Sequence, residues 1–482
     1  MAVTPELSAP EQVETPARAP RQPSALGALL LRLHFYAGVL IAPFLLVAAL
    51  TGLAYTITPQ LDSIVYGDEL TVAATGGQTR PLAEQITAAR AVHPGGTLTG
   101  VRPGEGDATT QIDFSSPELD EEHLHTVYVD PYTGATTGQL TTWFGSTPLK
   151  TWLDDLHRNL HLGVTGRHYS ELAASWLWVI TLGGVVLWWR RLRGNRTAKR
   201  LLAPELGAKK GVRRTRSWHA ATGLWLTAGL LILSATGLTW SRYAGGNFHE
   251  ALDAMRGGTP YVSTTVTGEA AATGGHHGGM VMPGGEAPVD PAAIDTVLAA
   301  ARKEGLTGPV TIAVPGDAAT AWTVSQNRPL WPVAADSIAM DSTGQVVDRV
   351  DFADWPLTAK LTKWGVAAHM GELFGPVNQI LLAALAIGLI TVIIWGYRMW
   401  WQRRPTRVGR QALAGAPPAR GNWVNLPLPV IAAGLPVVFA LGWYLPLLGV
   451  PLLAFLAFDT AVQVIRPRRR PPVPTSPAPA GS

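Results

Sequence analysis

The chain has 482 residues, 47% of them hydrophobic and only 15% charged, with 18 tryptophans and a formal net charge of +4. Soluble domains run near ~25% charged, and here apolar runs of about 20 residues, enough to cross a bilayer as helix, alternate with polar stretches, so a single soluble globule is excluded. There is no cysteine, which excludes a disulfide scaffold, an Fe–S protein, a thiolate zinc site and a covalently attached c-type haem.

In chain order, residues 1–24 read as a disordered cytoplasmic tail. A first transmembrane helix over 25–57, apolar from 33, lacks a signal-peptide cleavage pattern. Residues 58–170 form an extracytoplasmic α+β domain, with a helix at Pro81–Val92 and strands at Thr97–Arg102, Thr109–Phe114 and His125–Val129. A second span covers 171–189. The loop 190–218 is basic and cytoplasmic, since residues 190–216 hold eleven basic residues and one acid, Glu205.

The third span covers 219–240, and a second extracytoplasmic domain follows over 241–376. It has a helix at Pro291–Arg302, strands at Val310–Val314, Ala321–Ser325 and Ser337–Met340, and a Gly/His/Met loop at 268–285. A fourth span covers 377–399, a basic cytoplasmic loop 400–423, a hairpin of two spans 424–465, and a disordered cytoplasmic tail 466–482. Five prolines (427, 429, 436, 446 and 451) could turn the hairpin into a re-entrant one, and Asp459 is expected to reach the interface. Segments 58–170 and 241–376 hold 14 and 14 acids against 6 and 8 bases. The positive-inside rule therefore puts both termini in the cytoplasm of a multi-pass cell-membrane protein in contact with the lipid bilayer.

The chain repeats itself. His34-Phe-Tyr-Ala-Gly38 and Thr51-Gly52-Leu53 match His219-Ala-Ala-Thr-Gly223 and Thr236-Gly237-Leu238 at an offset of 185. Leu149, Trp152, His157, Gly163 and Trp188-Trp189 match Leu361, Trp364, His369, Gly375 and Trp400-Trp401 at an offset of 212. Turns around Asp130-Pro-Tyr-Thr133-Gly134 and Asp341-Ser-Thr343-Gly344 correspond, with Gly supplying positive φ. The unit is span, small α+β domain, span, used twice in one orientation, so a pseudo-two-fold axis along the membrane normal is expected.

Leu33-His34-x3-Gly38, Leu156-His157-Arg158, Trp218-His219-x3-Gly223 and His369-Met-Gly-Glu-Leu-Phe-Gly375 together resemble the PepSY-associated transmembrane family, often called iron-regulated membrane proteins. The likeness covers about residues 29–402. It implies a role in iron acquisition, b-type haem of the kind carried by ferric-siderophore reductases, and PepSY-like outside domains, which elsewhere are linked to peptidase inhibition. The fold class expected is then an α-helical integral membrane protein with two small extracytoplasmic PepSY-like α+β domains, an internally duplicated span–domain–span unit, and a C-terminal helical hairpin.

Intramembrane or membrane-edge histidines are functional candidates. His34 and His219 open spans from the cytoplasmic side; His157 and His369 precede spans on the outer side. Two symmetry-matched pairs suit two haems b, each ligated by one imidazole from each unit. Arg32, Arg158 and Arg216 could pair the propionates. His161, one helical turn beyond His157 and on the same face, could replace it as ligand. His276, His277, Met280 and Met282 form a set suited to copper; a solvated loop is the blander reading. His123 and His125 lie on one side of a strand.

The leading function is a transmembrane oxidoreductase reducing a ferric chelate or siderophore at the outer face. No nucleotide-binding Gly motif occurs in the inside loops, so the donor is a quinol or a separate reductase. The alternatives are a membrane-anchored PepSY-domain protein regulating an extracytoplasmic peptidase or partner, and a copper or iron transport accessory. No His-Glu-x-x-His or Gly-x-Ser-x-Gly motif supports intrinsic peptidase activity.

Overall fold

A computed structural model describes residues 25–73, 75–192, 202–208, 210–266, 290, 292–317, 319–403 and 426–465, the side chains of 191–192 and 463–465 excepted. The Gly/His/Met loop with its copper set lies outside the described residues.

The first half runs α1 (Ala25–Leu40), α2 (Ala42–Tyr55), α3 (Thr58–Val65), α4 (Gly67–Leu70), α5 (Leu82–Val92), β1 (Thr97–Arg102), β2 (Thr110–Ser115), β3 (His123–Val129), β4 (Thr136–Trp143), α6 (Pro148–Asn159) and α7 (Gly163–Leu192). The second runs α8 (Val212–Leu238), α9 (Tyr243–Ala254), α10 (Ala292–Lys303), β5 (Val310–Ala313), β6 (Trp322–Gln326), β7 (Ser337–Met340), β8 (Val346–Val350), α11 (Leu357–Met370) and α12 (Pro376–Gln402). A hairpin of α13 (Leu428–Tyr444) and α14 (Pro446–Ile465) follows.

Three single helices are long and apolar enough to cross a membrane: α7 over Gly163–Arg190, α8 and α12. Helices α1 and α2 qualify only as a pair, bent by 55°. The expected first span is thus a broken helix ending at Tyr55, a bent span or a re-entrant loop, not one continuous rod over 25–57. Pro43 explains the break. It lacks an N–H and its ring crowds the carbonyl one turn earlier, which is that of Val39. The Tyr397 hydroxyl on α12 donates to that freed carbonyl at 2.9 Å. At the matched place α8 carries Ala228 and stays unbroken.

Helices α13 and α14 are shorter apolar elements. Their turn lies at the end of the bundle nearest the sheet, where Asn247 of α9 donates to the Tyr444 carbonyl at 3.1 Å and the Trp176 indole to that of Leu447 at 3.1 Å. At the far end, Asp459 forms an ion pair with Arg32 of α1. Asp459 is 2% exposed, and a buried carboxylate persists when an opposite charge compensates it. The Arg32 guanidinium also lies 5.6 Å from the Tyr36 ring.

The two expected α+β domains form one body. Their strands make a single eight-stranded antiparallel sheet in the order β4-β3-β2-β1-β5-β6-β7-β8. The seam is short, Gly100 opposite Ala313 and Val101 opposite Ile312. An isolated four-stranded meander would leave β1 or β5 as an open edge, and pairing the two edges satisfies both. One core serves both halves: Ile86 of α5 and Ile294 of α10 pack with Val101, Ile112, Ile312 and Val324 of the sheet. Asp295 of α10 also caps α5 across the seam, accepting from the Leu82 and Ala83 amides at 2.7 and 3.0 Å. Both Asp/Thr/Gly turns are hairpin turns, into β4 and β8, with Gly134 at φ 76° and Gly344 at φ 84°. The Thr343 hydroxyl donating to Asp341 holds that carboxyl below its usual range.

Helices α6 and α11 lie between sheet and bundle. Thr147 begins α6 with its side chain accepting from the Lys150 amide and donating to Asp62 of α3 at 2.8 Å. Burial raises the Asp62 carboxyl, and the Thr147 hydroxyl partly offsets that.

Paired histidines as the candidate functional site

At the far end, α1 and α8 carry His34 and His219 against α7 and α12. His34 Nδ1 is 3.0 Å from the Ile180 carbonyl oxygen, and His219 Nδ1 is 3.0 Å from that of Val392. Glycine makes room for the His34 ring, since a Cβ at Gly184 would come within 3.2 Å of His34 Cε1; one at the matched Gly396 would lie in ordinary contact, 3.8 Å from His219 Cε1. Every contact obeys the offsets read from the sequence, 185 between the histidines and 212 between their partners.

At the sheet end, α6 and α11 carry His157 and His369 against α2 and α8. His157 Nδ1 is 3.0 Å from Thr51 Oγ1, and His369 Nδ1 is 2.8 Å from Thr236 Oγ1. Gly52 and Gly237 again leave the space beside the imidazoles. The two rings lie 6.4 Å apart, centroid to centroid. Burial pushes both imidazoles down to about 4, His369 further lowered by His157, so both are neutral at pH 7.

The partners fix the tautomer of each ring. A backbone carbonyl only accepts, so His34 and His219 carry their proton on Nδ1. The threonines reach the same result by another route. Thr51 donates its hydroxyl proton to the Val47 carbonyl at 2.9 Å, and Thr236 to that of Ile232 at 2.8 Å. With that proton spent, each oxygen accepts from the imidazole. All four rings are therefore Nδ1–H, and all four Nε2 atoms keep a lone pair, the state of a ligating histidine oriented from behind.

Other expected residues are placed elsewhere. His161 is not on the face of His157: α6 ends at Asn159, Leu160 and His161 adopt φ of 55°, and the His161 ring packs on Trp152 at 4.9 Å. Arg158 is engaged by Asp155 at 3.0 Å and Asp154 at 3.4 Å, and lies 5.2 Å from the Trp143 ring. Arg32 belongs to Asp459. Arg216 stands on the first turns of α8, three residues before His219. His123 and His125 meet Asp120 and Glu118 on the sheet, and His125 lies 4.6 Å from the His93 ring. Among the described residues no group of three or more His, Asp or Glu could hold a metal ion.

The orienting groups Thr51, Thr236 and the Ile180 and Val392 carbonyls were not singled out as functional by sequence reasoning. The two Thr-Gly pairs stood in view as repeat markers, and their spacing from the histidines was the available signal. Carbonyl partners leave no mark in a sequence.

The model of the family described as PepSY-associated TM region matches residues 31–403, which include all four histidines and exclude α13 and α14. No curated protein matches the chain.

Proposed function

The chain belongs to the family of PepSY-associated TM regions, membrane proteins crossed by several apolar helices, and on that premise we propose that it is a haem-carrying electron carrier. It takes electrons at the far end, from a quinol or a separate reductase, and reduces ferric chelates such as siderophores at the sheet end for iron acquisition. The arginine-rich loops support a cytoplasmic far end, and a cell-membrane location is part of the proposal.

One observation carries the reading: four half-buried imidazoles at repeat-matched positions, His157 and His369 with rings 6.4 Å apart, each with Nδ1 engaged by a carbonyl or a threonine hydroxyl. A bare structural zinc takes about four protein ligands, and among the described residues no group of three or more His, Asp or Glu could hold a metal ion. A pair of imidazoles suits a metal that brings its own equatorial ligands. The 6.4 Å between the His157 and His369 ring centroids is a spacing that would admit a metal between them. His34 with His219, and His157 with His369, are the residues that would hold two haems b. A haem held by two imidazoles supplies reversible one-electron transfer.

The protein's own contribution is orientation and exclusion. Thr51, Thr236 and the two carbonyls hold the rings and raise their basicity. The glycines let the helices close around them. From His219 to Thr236, 17 residues of one helix put about 25 Å between the layers. A chelated Fe(III) reduced at the sheet end would be released, because Fe(II) binds hard oxygen ligands less strongly.

The test is an absorption spectrum of the purified membrane protein with pyridine haemochrome quantitation. Two haems per chain, with reduced-form bands bleached by a ferric chelate, are expected. A colourless protein that cannot be reconstituted with haemin overturns the reading.

A further inference from the structure

The two units differ at one corner of the sheet-to-bundle junction. In the first, the β2–β3 loop reads Ser116-Pro-Glu-Leu-Asp-Glu-Glu122, while at the start of α7 Leu162 and Val164 are 62% and 55% exposed. Helix α9 covers that corner: Arg167 donates to the Trp240 carbonyl at 2.7 Å, His168 meets the Tyr243 hydroxyl at 3.2 Å, and Glu171 caps α9 through the Tyr243 and Ala244 amides. In the second unit the β6–β7 loop reads Asn327-Arg-Pro-Leu-Trp-Pro-Val333. It reaches down to the bundle, where the Trp331 amide donates to the Leu373 carbonyl at 2.8 Å and the Trp331 ring lies 6.4 Å from Phe374. There Leu330, Trp331 and Phe374 are 46%, 52% and 51% exposed. The patch continues without a polar break into Val377, Ile380 and Leu381, the exposed face of the first turns of the span α12.

We propose that the Leu330–Trp331 loop, with Phe374, is a membrane anchor of the sheet domain, inserted into the interfacial region of the leaflet on the sheet side. Two arguments name lipid as the occupant. The patch is continuous with a helix face that itself must meet lipid, since α12 is long and apolar enough to cross the bilayer. Its composition, a half-exposed Trp and Phe beside aliphatic residues at the end of a span, is that of an interfacial belt. The matched loop in the first unit carries four acids in place of these apolar residues, so the anchor belongs to the second unit's loop. The anchor is independent of what the histidines bind.

The chain has no cysteine, so single spin labels can be placed cleanly. Trp331→Cys and, as a second variant should the first fold poorly, Leu330→Cys are labelled in the full chain in nanodiscs containing anionic lipid, with Leu119→Cys as the matched position. Power saturation is measured with oxygen and with a water-soluble nickel chelate. Labels at 331 and 330 should be more accessible to oxygen and shielded from nickel, and the label at 119 the reverse. Equal nickel access at the two loops overturns the proposal. So does shielding at 331 accompanied by label–label broadening that vanishes on mixing with unlabelled protein, which would make a second copy the occupant.

Discussion

The two histidine layers meet one requirement with different chemistry. At the far end, carbonyls of α7 and α12 receive the Nδ1 protons. At the sheet end, threonine hydroxyls do so, after their own protons are committed one turn back along the helix. What is kept constant is the tautomer, not the partner. The difference is in vulnerability: a carbonyl cannot be removed by a side-chain substitution, whereas a hydroxyl can.

The largest expected effects come from the imidazoles. If the two layers hold haem as proposed, replacing any one by Ala would remove one of the residues holding it, and haem content should fall by about half, since the layers would be separate sites. His34→Ala and His219→Ala should alter the same spectral component, and His157→Ala and His369→Ala the other. Full haem content in all four variants would break the comparison at its root.

Next in size is a support of the far layer. Asp459→Ala would leave Arg32 charged and buried, at a cost of about 3–5 kcal/mol. The thermal midpoint should drop, and Arg32→Leu with Asp459→Leu should recover most of it. At the matched position near His219 stands Ser217 in place of an arginine.

Thr51→Val and Thr236→Val sharpen the comparison directly. Loss of an orienting partner typically weakens metal binding about 10–100-fold. Haemin titration of the apoprotein should show that loss at the sheet-end layer and none at the far end. Equal weakening of both layers would mean that the hydroxyls act through the fold. Tyr397→Phe should cost about 1 kcal/mol in chemical denaturation, because the Val39 carbonyl left by Pro43 loses its donor.

The smallest effect is on pH dependence. Burial raises the Asp154 carboxyl on α6, with the Arg158 charge opposing. A carboxyl raised on folding binds its proton more tightly in the folded state, so stability declines as pH rises from the unfolded value through the raised one and is flat above. Asp154→Asn should flatten that decline in midpoints measured across acidic pH. An unchanged slope would remove Asp154 as its source.

Much of this was legible. Strands β1 and β7 fall on the segments that pattern alone marked, and the histidine pairs follow from two offsets. Edge strands β4 and β8 were not seen, because Thr136–Trp143 and Val346–Val350 lack alternation between a buried and a solvent face. The seam escaped because β1 and β5 are more than two hundred residues apart and nothing local encodes their pairing. The left-handed turn at Leu160 and His161 lacks the glycine that announces such a conformation, so His161 was placed on a helix that had already ended. The bend after Leu40, by contrast, had its signal in Pro43.

The seam between β1 and β5 also bears on how such a chain can be assembled. It is antiparallel, lies at the centre of the strand order, and joins only two residue pairs, where β1 and β2 share five. An antiparallel edge of this kind can accept a sibling edge from another polypeptide as readily as one from its own. Two fragments divided within 193–201 and made together should therefore find each other through that edge, the cross-capping Asp295 and the matched histidines, so that continuity of the chain serves here to keep the halves in equal number.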